Sequence, residues 1–90
     1  MPRQIRIVRT TSDFQKSFKK LPARIQTLAI KKDTLFRENA FAPSLRTHKL
    51  KGTLQNYWAY SVNLEYRILF RFITRQEVIY YDIGTHSIYR

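Results

Sequence analysis

Two neighbouring runs of β-forming residues near the C-terminal end constrain this chain more than anything else in it. Tyr66 to Ile73 and Val78 to Ile83 are rich in Ile, Val, Phe and Tyr, and only a short polar connection separates them. A connection of that length joins antiparallel neighbours, so the pair predicts a hairpin. Within the first run Ile68, Phe70 and Phe72 alternate with Arg67, Leu69 and Arg71. The alternation predicts a buried face for the first set and an outward face, open to a ligand, for the second. Gly84 follows the second run and is expected to let the backbone bend. That bend would leave His86 at the margin of the sheet, where an imidazole can titrate near neutral pH.

The preceding residues supply the elements that cover such a sheet. Gln4 to Thr10 alternates, with Ile5 and Ile7 on one side, and predicts a first strand. Ser12 followed by Gln15 has the spacing of a capping box, and Phe14, Phe18 and Leu21 continue it as a short helix ending before Pro22. Proline suits the first turn of a second helix. Ile25, Leu28, Ala29, Leu35 and Phe36 give that helix one apolar stripe to about Asn39, with Lys31, Lys32 and Arg37 mostly off it. Residues 41 to 56 read mostly as loop, and a strand over Tyr57 to Asn63 precedes the hairpin. The expected order is β-α-α-β-β-β, an α+β fold with two N-terminal helices packed on one face of a small antiparallel sheet. It forms a single domain over residues 1–90.

Composition limits what such a domain can do. The 90 residues carry 17 Lys and Arg against 6 Asp and Glu, a formal charge of +11. Residues 1–51 hold 13 of the basic groups and 3 of the acids, so nearly all of the excess lies there. A field of this sign attracts polyanions or an acidic partner protein. The alternative use, a solvated basic face that keeps the protein soluble, accounts poorly for so large an excess in so small a domain. Cysteine is absent, which rules out disulfides and thiolate metal sites and suits a reducing, cytoplasmic setting. No apolar run approaches the roughly 20 residues that span a bilayer, and the first residues lack a signal-peptide hydrophobic region. Two histidines 38 residues apart make a poor metal site, so neither metal nor cofactor is expected.

Leu50-Lys51-Gly52, Tyr66-Arg67-Ile68 and Gly84-Thr85-His86-Ser87-Ile88-Tyr89, in this element order, resemble the RelE/ParE superfamily of toxins. His48-Lys49-Leu50-Lys51-Gly52 and Gly84-Thr85-His86 are most similar to its YafQ-like branch. The resemblance implies a RelE-like fold and the toxin of a type II toxin-antitoxin pair. It also implies a ribosome-dependent mRNA endonuclease, held in check by an acidic antitoxin. A ParE-like gyrase inhibitor without a nuclease site, or a member that only binds its antitoxin, uses the same scaffold. Carried over by position, the resemblance makes His48, Glu65 and His86 the acid and base groups. Lys49, Lys51, Arg67 and Tyr89 then become the RNA contacts. The departure is Ser61, where the family usually places histidine or arginine; a serine supplies no charge.

The chemistry explains the residue types. Cleavage of RNA through its own 2′-hydroxyl needs a base to take that proton, positive charge around the phosphorane, and an acid for the departing 5′-oxygen. Each residue also has an ordinary structural use. Arg67 can pair with Glu65, His48 can cap its loop, and Tyr57, Trp58 and Tyr60 can pack across strands rather than stack on bases. Lys31 and Lys32 fit a solvated helix face or part of the wider surface that would meet ribosomal RNA.

Overall fold

The computed structural model describes residues 2–89, with Met1 and Arg90 lying outside the described residues. Five strands and two helices follow one another as β1 (Ile7–Thr10), α1 (Ser12–Lys19), α2 (Ala23–Glu38), β2 (His48–Lys49), β3 (Trp58–Ser61), β4 (Arg67–Thr74) and β5 (Glu77–Gly84). A 3₁₀ turn over His86–Tyr89 ends the fold. The sheet order is β1-β5-β4-β3-β2. β2 to β5 form antiparallel neighbours, while β1 runs parallel to β5. The α+β reading therefore holds, with one strand more than expected. β2 is two residues long, pairing His48 with Ala59 and Lys49 with Trp58. A strand that short has no periodicity to betray it.

The elements begin where local chemistry allows. Thr11, not Ser12, caps α1: its Oγ1 accepts from the Phe14 amide at 3.0 Å and donates to the Tyr81 carbonyl at 2.9 Å. The cap thus ties the helix to the sheet as well as satisfying a free donor. Pro22 sits just before α2 rather than in its first turn, with φ −54°. Gln26 then reaches back from α2, its amide nitrogen donating to the Phe18, Lys19 and Leu21 carbonyls. The Phe18 carbonyl also accepts from the Leu21 amide at 3.1 Å, so Gln26 adds a side-chain tie to the backbone just at and past the end of α1.

β1 is shorter than the alternation suggests. The Ile5 amide donates to the Arg37 carbonyl and the Ala40 amide to the Arg3 carbonyl, both at 2.9 Å, so residues 3–5 bind the end of α2 and not a strand. Ile5 is buried, whereas Ile7 is largely exposed and Val8 packs on the core instead.

The core lies between the helices and one sheet face. Phe36 is fully buried, stacked on Tyr60 at 4.5 Å and edge-on to Phe70 and Tyr80. Burial of one such ring is worth about 1.5–3 kcal/mol, and favourable ring pairs add to it. A polar chain crosses this core. The Tyr60 and Tyr80 hydroxyls are 2.9 Å apart, Tyr80 donates to Asp33 Oδ1 at 2.6 Å, and Arg37 Nε donates to Asp33 Oδ2 at 2.9 Å. Burial pushes both tyrosines well above the ordinary range for a phenol.

The second sheet face is less open than the alternation of β4 implies. Ile68 and Phe70 are buried as expected, but Leu69 on the other side is only 6% exposed and its neighbour Ala59 is 0% exposed. The 3₁₀ turn over His86–Tyr89 folds back against β4 and β5 on that side. Gly84 is what admits it. Its φ is not positive, so no bend requires glycine there. Instead a β-carbon at Gly84 would stand 2.7 Å from Ile88 Cγ2.

Candidate functional site

Sheet register decides which of the sequence-derived candidates meet. Ser61 lies opposite Arg67, and Arg67 lies opposite Gly84, so three strands contribute to one row at the end of the sheet. The next row runs His48, Ala59, Leu69 and Asp82. Opposed residues share a face, so both rows look out on the side where the C-terminal turn lies. His48 is the diagonal neighbour of Ser61, about 7–8 Å away by sheet geometry. His86 opens the turn two residues beyond Gly84, exposed, with its ring edge-on to Tyr89 at 6.3 Å. Arg67 and His48 therefore flank Ser61 on this face, while His86 and Tyr89 lie in the turn after Gly84, at the β5 side of Arg67.

Other candidates stand apart. Lys49 pairs with Trp58, whose ring packs with Phe41 and Phe72, and so it belongs to the opposite face from His48. Lys51 is exposed one turn further on, just before the 3₁₀ turn over Gly52–Leu54. Glu65 sits in the β3–β4 turn, exposed, where its amide donates to Asn63 Oδ1 at 2.9 Å. Its carboxylate makes no ion pair among the described residues, and Arg67 Nη1 donates instead to the Asn63 carbonyl at 3.3 Å. The Arg67–Glu65 pairing considered from the sequence is absent. Trp58 and Tyr60 are taken up by packing, Tyr60 wholly buried beside Phe36.

Hydrogen bonding sets the state of His48. Its Nδ1 lies 2.9 Å from the Arg46 carbonyl, and a carbonyl can only accept. The proton of the neutral ring is thus on Nδ1, and Nε2 is left with a lone pair toward solvent, as a general base requires. Tyr89 differs. Its hydroxyl is buried with no partner in ordinary hydrogen-bond geometry among the described residues; burial raises its pKa, while the charge and the side-chain donor of Arg67 draw it back by less. Arg67 and the phenol are close neighbours that do not meet in ordinary hydrogen-bond geometry.

The structure adds residues to this face that the sequence did not single out. A register shift in β5 between its pairs with Leu69 and Phe70 brings Tyr81 round beside Asp82. Tyr81 meets Tyr57 edge-on at 5.2 Å, and the Arg71 guanidinium lies 5.7 Å from the Tyr57 ring. A bulge of this kind leaves no mark in the sequence. Among the described residues no three His, Asp or Glu side chains gather as a metal site would need. Nor is any described helix long and apolar enough to cross a membrane.

No family model matches the sequence, and no curated protein sequence matches it either. Solved structures do. The toxin-antitoxin complex RelBE2 from Mycobacterium tuberculosis contains a chain that aligns at TM-score 0.77 and 17% identity, covering 93% of this chain and 94% of that one. This is a RelE/ParE toxin fold. YafQ from E. coli aligns at TM-score 0.76 and 17% identity, over 93% of this chain and 97% of YafQ. A YoeB/ParE toxin from Agrobacterium tumefaciens aligns at 0.74 and 18%, over 90% and 99%. The RelE/ParE fold therefore accounts for 90–93% of the chain, at identities too low to carry residue roles with it.

Proposed function

We propose that this chain is the toxin of a toxin-antitoxin pair and that it acts as a ribosome-dependent mRNA endonuclease without a metal. The observation that supports the reading is that Arg67 and His48 flank Ser61 on the sheet face against which the turn bearing His86 and Tyr89 folds. His48 Nε2 is the base for the 2′-hydroxyl, Arg67 the clamp on the phosphorane, and His86 the acid for the leaving 5′-oxygen. Tyr89 offers its ring to the substrate base, while Glu65 in the β3–β4 turn and Lys51 beyond β2 are outlying acid and RNA contacts. Lys49, on the opposite face, is the weakest of the RNA contacts. Similarity to structures solved with antitoxins, RelBE2 and DinJ-YafQ, supports an acidic antitoxin as the protein partner of this basic chain.

The experiment is single-turnover cleavage on programmed ribosomes with the wild type, His48→Gln and His86→Gln. Each variant is expected to lose roughly 10²-fold or more in rate while keeping RNA binding, the usual scale for a lost general acid or base. Equal rates for all three would overturn the mechanism. The second reading is a gyrase inhibitor of the ParE kind, favoured by the uncharged and buried Ser61. Inhibition of gyrase supercoiling with no ribosomal cleavage would establish it.

A further inference from the structure

Beyond the histidines, a cavity of about 360 Å³ opens at the end of β3, where α2, the chain around Arg46 and the β3–β4 turn meet. Its lining includes three cations from three separate parts of the chain, Lys32 of α2, Arg46 and Arg67 of β4, together with Ser44, Ser61 and Asn63. No acidic residue lines it. None of the three cations takes part in an ion pair among the described residues, where Arg9–Glu77 and Arg37–Asp33 are the pairs present. Lys32 is half-buried, whereas its neighbour Lys31 is exposed. Arg46 is held by backbone in the left-handed region, φ 51°, which an arginine adopts only at a cost.

Three like charges around one cavity repel each other, and the repulsion persists unless an anion enters. Arginine presents paired donors that suit phosphate oxygens, and lysine adds a point charge. The remaining wall is apolar, formed by Leu28, Val62 and Leu64. The volume lies at the lower end of the range for small-ligand pockets, ample for one phosphoryl group and part of a sugar.

We propose that this cavity is a phosphate-binding pocket in which Lys32, Arg46 and Arg67 hold one backbone phosphate of a single-stranded RNA. The carrier of the phosphate rests on the nuclease reading above; the phosphate pocket itself rests on the cation cluster alone. In this arrangement Lys32 and Arg46 supply, from outside the sheet, the positive charge that Ser61 lacks. The pocket shares Arg67 with the candidate site, so the phosphate it holds lies next to the scissile one and sets the strand's register across the sheet.

The test uses the whole chain and two probes, inorganic phosphate and a short single-stranded RNA, followed by amide chemical shifts and by calorimetry. Phosphate is expected to bind saturably, moving the amides of residues 44–46 and 61–64. Lys32→Gln/Arg46→Gln should weaken phosphate and RNA by tenfold or more, while Arg75→Gln, a cation in the distant β4–β5 turn, should leave both nearly unchanged. Shifts spread over the surface, or equal losses in the Arg75 variant, would overturn the pocket. Phosphate lost but RNA unaffected in the double variant would overturn RNA as the carrier. A wild type that cleaves nothing on ribosomes yet binds phosphate here would remove the nuclease reading and leave the pocket standing.

Discussion

Replacing Gly84 by alanine tests how the C-terminal turn is held over the sheet. The new methyl carbon would stand 2.7 Å from Ile88 Cγ2, whereas carbon–carbon contacts are comfortable at about 3.5–4.0 Å. Ile88 is β-branched, so Cγ2 cannot swing away cheaply, and the 3₁₀ turn must lift instead. Overpacking of this kind costs about 1–3 kcal/mol. Because φ at Gly84 is not positive, alanine is otherwise welcome and would on its own stabilise by about 0.4–1 kcal/mol. A double-mutant cycle with Ile88→Ala, read by urea unfolding, separates the two effects. Gly84→Ala is expected to destabilise the wild type and to be neutral or stabilising in the Ile88→Ala background, a coupling on the order of 2 kcal/mol. The lifted turn also carries His86 and Tyr89 away from Arg67, so cleavage should fall with Gly84→Ala and recover only in part with Ile88→Ala. An equal loss of stability in both backgrounds would refute the close-approach argument.

Thr11→Ala removes both the α1 cap and the tie to the Tyr81 carbonyl, and is expected to cost about 1–2 kcal/mol in urea unfolding, against a few tenths for Ser12→Ala. The raised pKa values of Tyr60 and Tyr80 mean that the folded state keeps protons which the unfolded chain gives up near pH 10. The stability they confer is thus whole below about pH 10 and declines as pH rises beyond it. Urea midpoints between pH 8 and 11 should show the decline, and Tyr60→Phe should blunt it. RNA affinity should drop by about 10³-fold between 50 and 200 mM salt if six or more phosphates are neutralised; a flat profile would assign the +11 charge to solubility. Ser61→His is expected to raise cleavage more than Ser61→Arg, because Ser61 lies opposite Arg67 and an arginine there would set like charges face to face.

Periodicity alone was enough to determine the two helices, the β3–β4–β5 meander and most of the core, because alternation and the 3.6-residue stripe are properties of neighbouring residues. Ile68, Phe70, Phe36 and Ala29 took the buried places that their spacing demanded. The net charge and the absence of cysteine were equally plain without coordinates. Tertiary structure alone decided what depended on distant partners. β2 exists only because Ala59 and Trp58 offer it an edge, and the bulge that turns Tyr81 toward Tyr57 arises between β4 and β5. Gly84 reads as a bend from its neighbours, yet its lack of a β-carbon serves Ile88, four residues later. The candidate site divides in the same way. His48 and His86 could be named from local motifs, but that Lys49 faces away, that Leu69 is covered, and that Lys32 and Arg46 join Arg67 around one cavity are facts of register and packing. Residues 35 positions apart, such as Lys32 and Arg67, meet only when the sheet and α2 have closed on each other, and no window of sequence contains both.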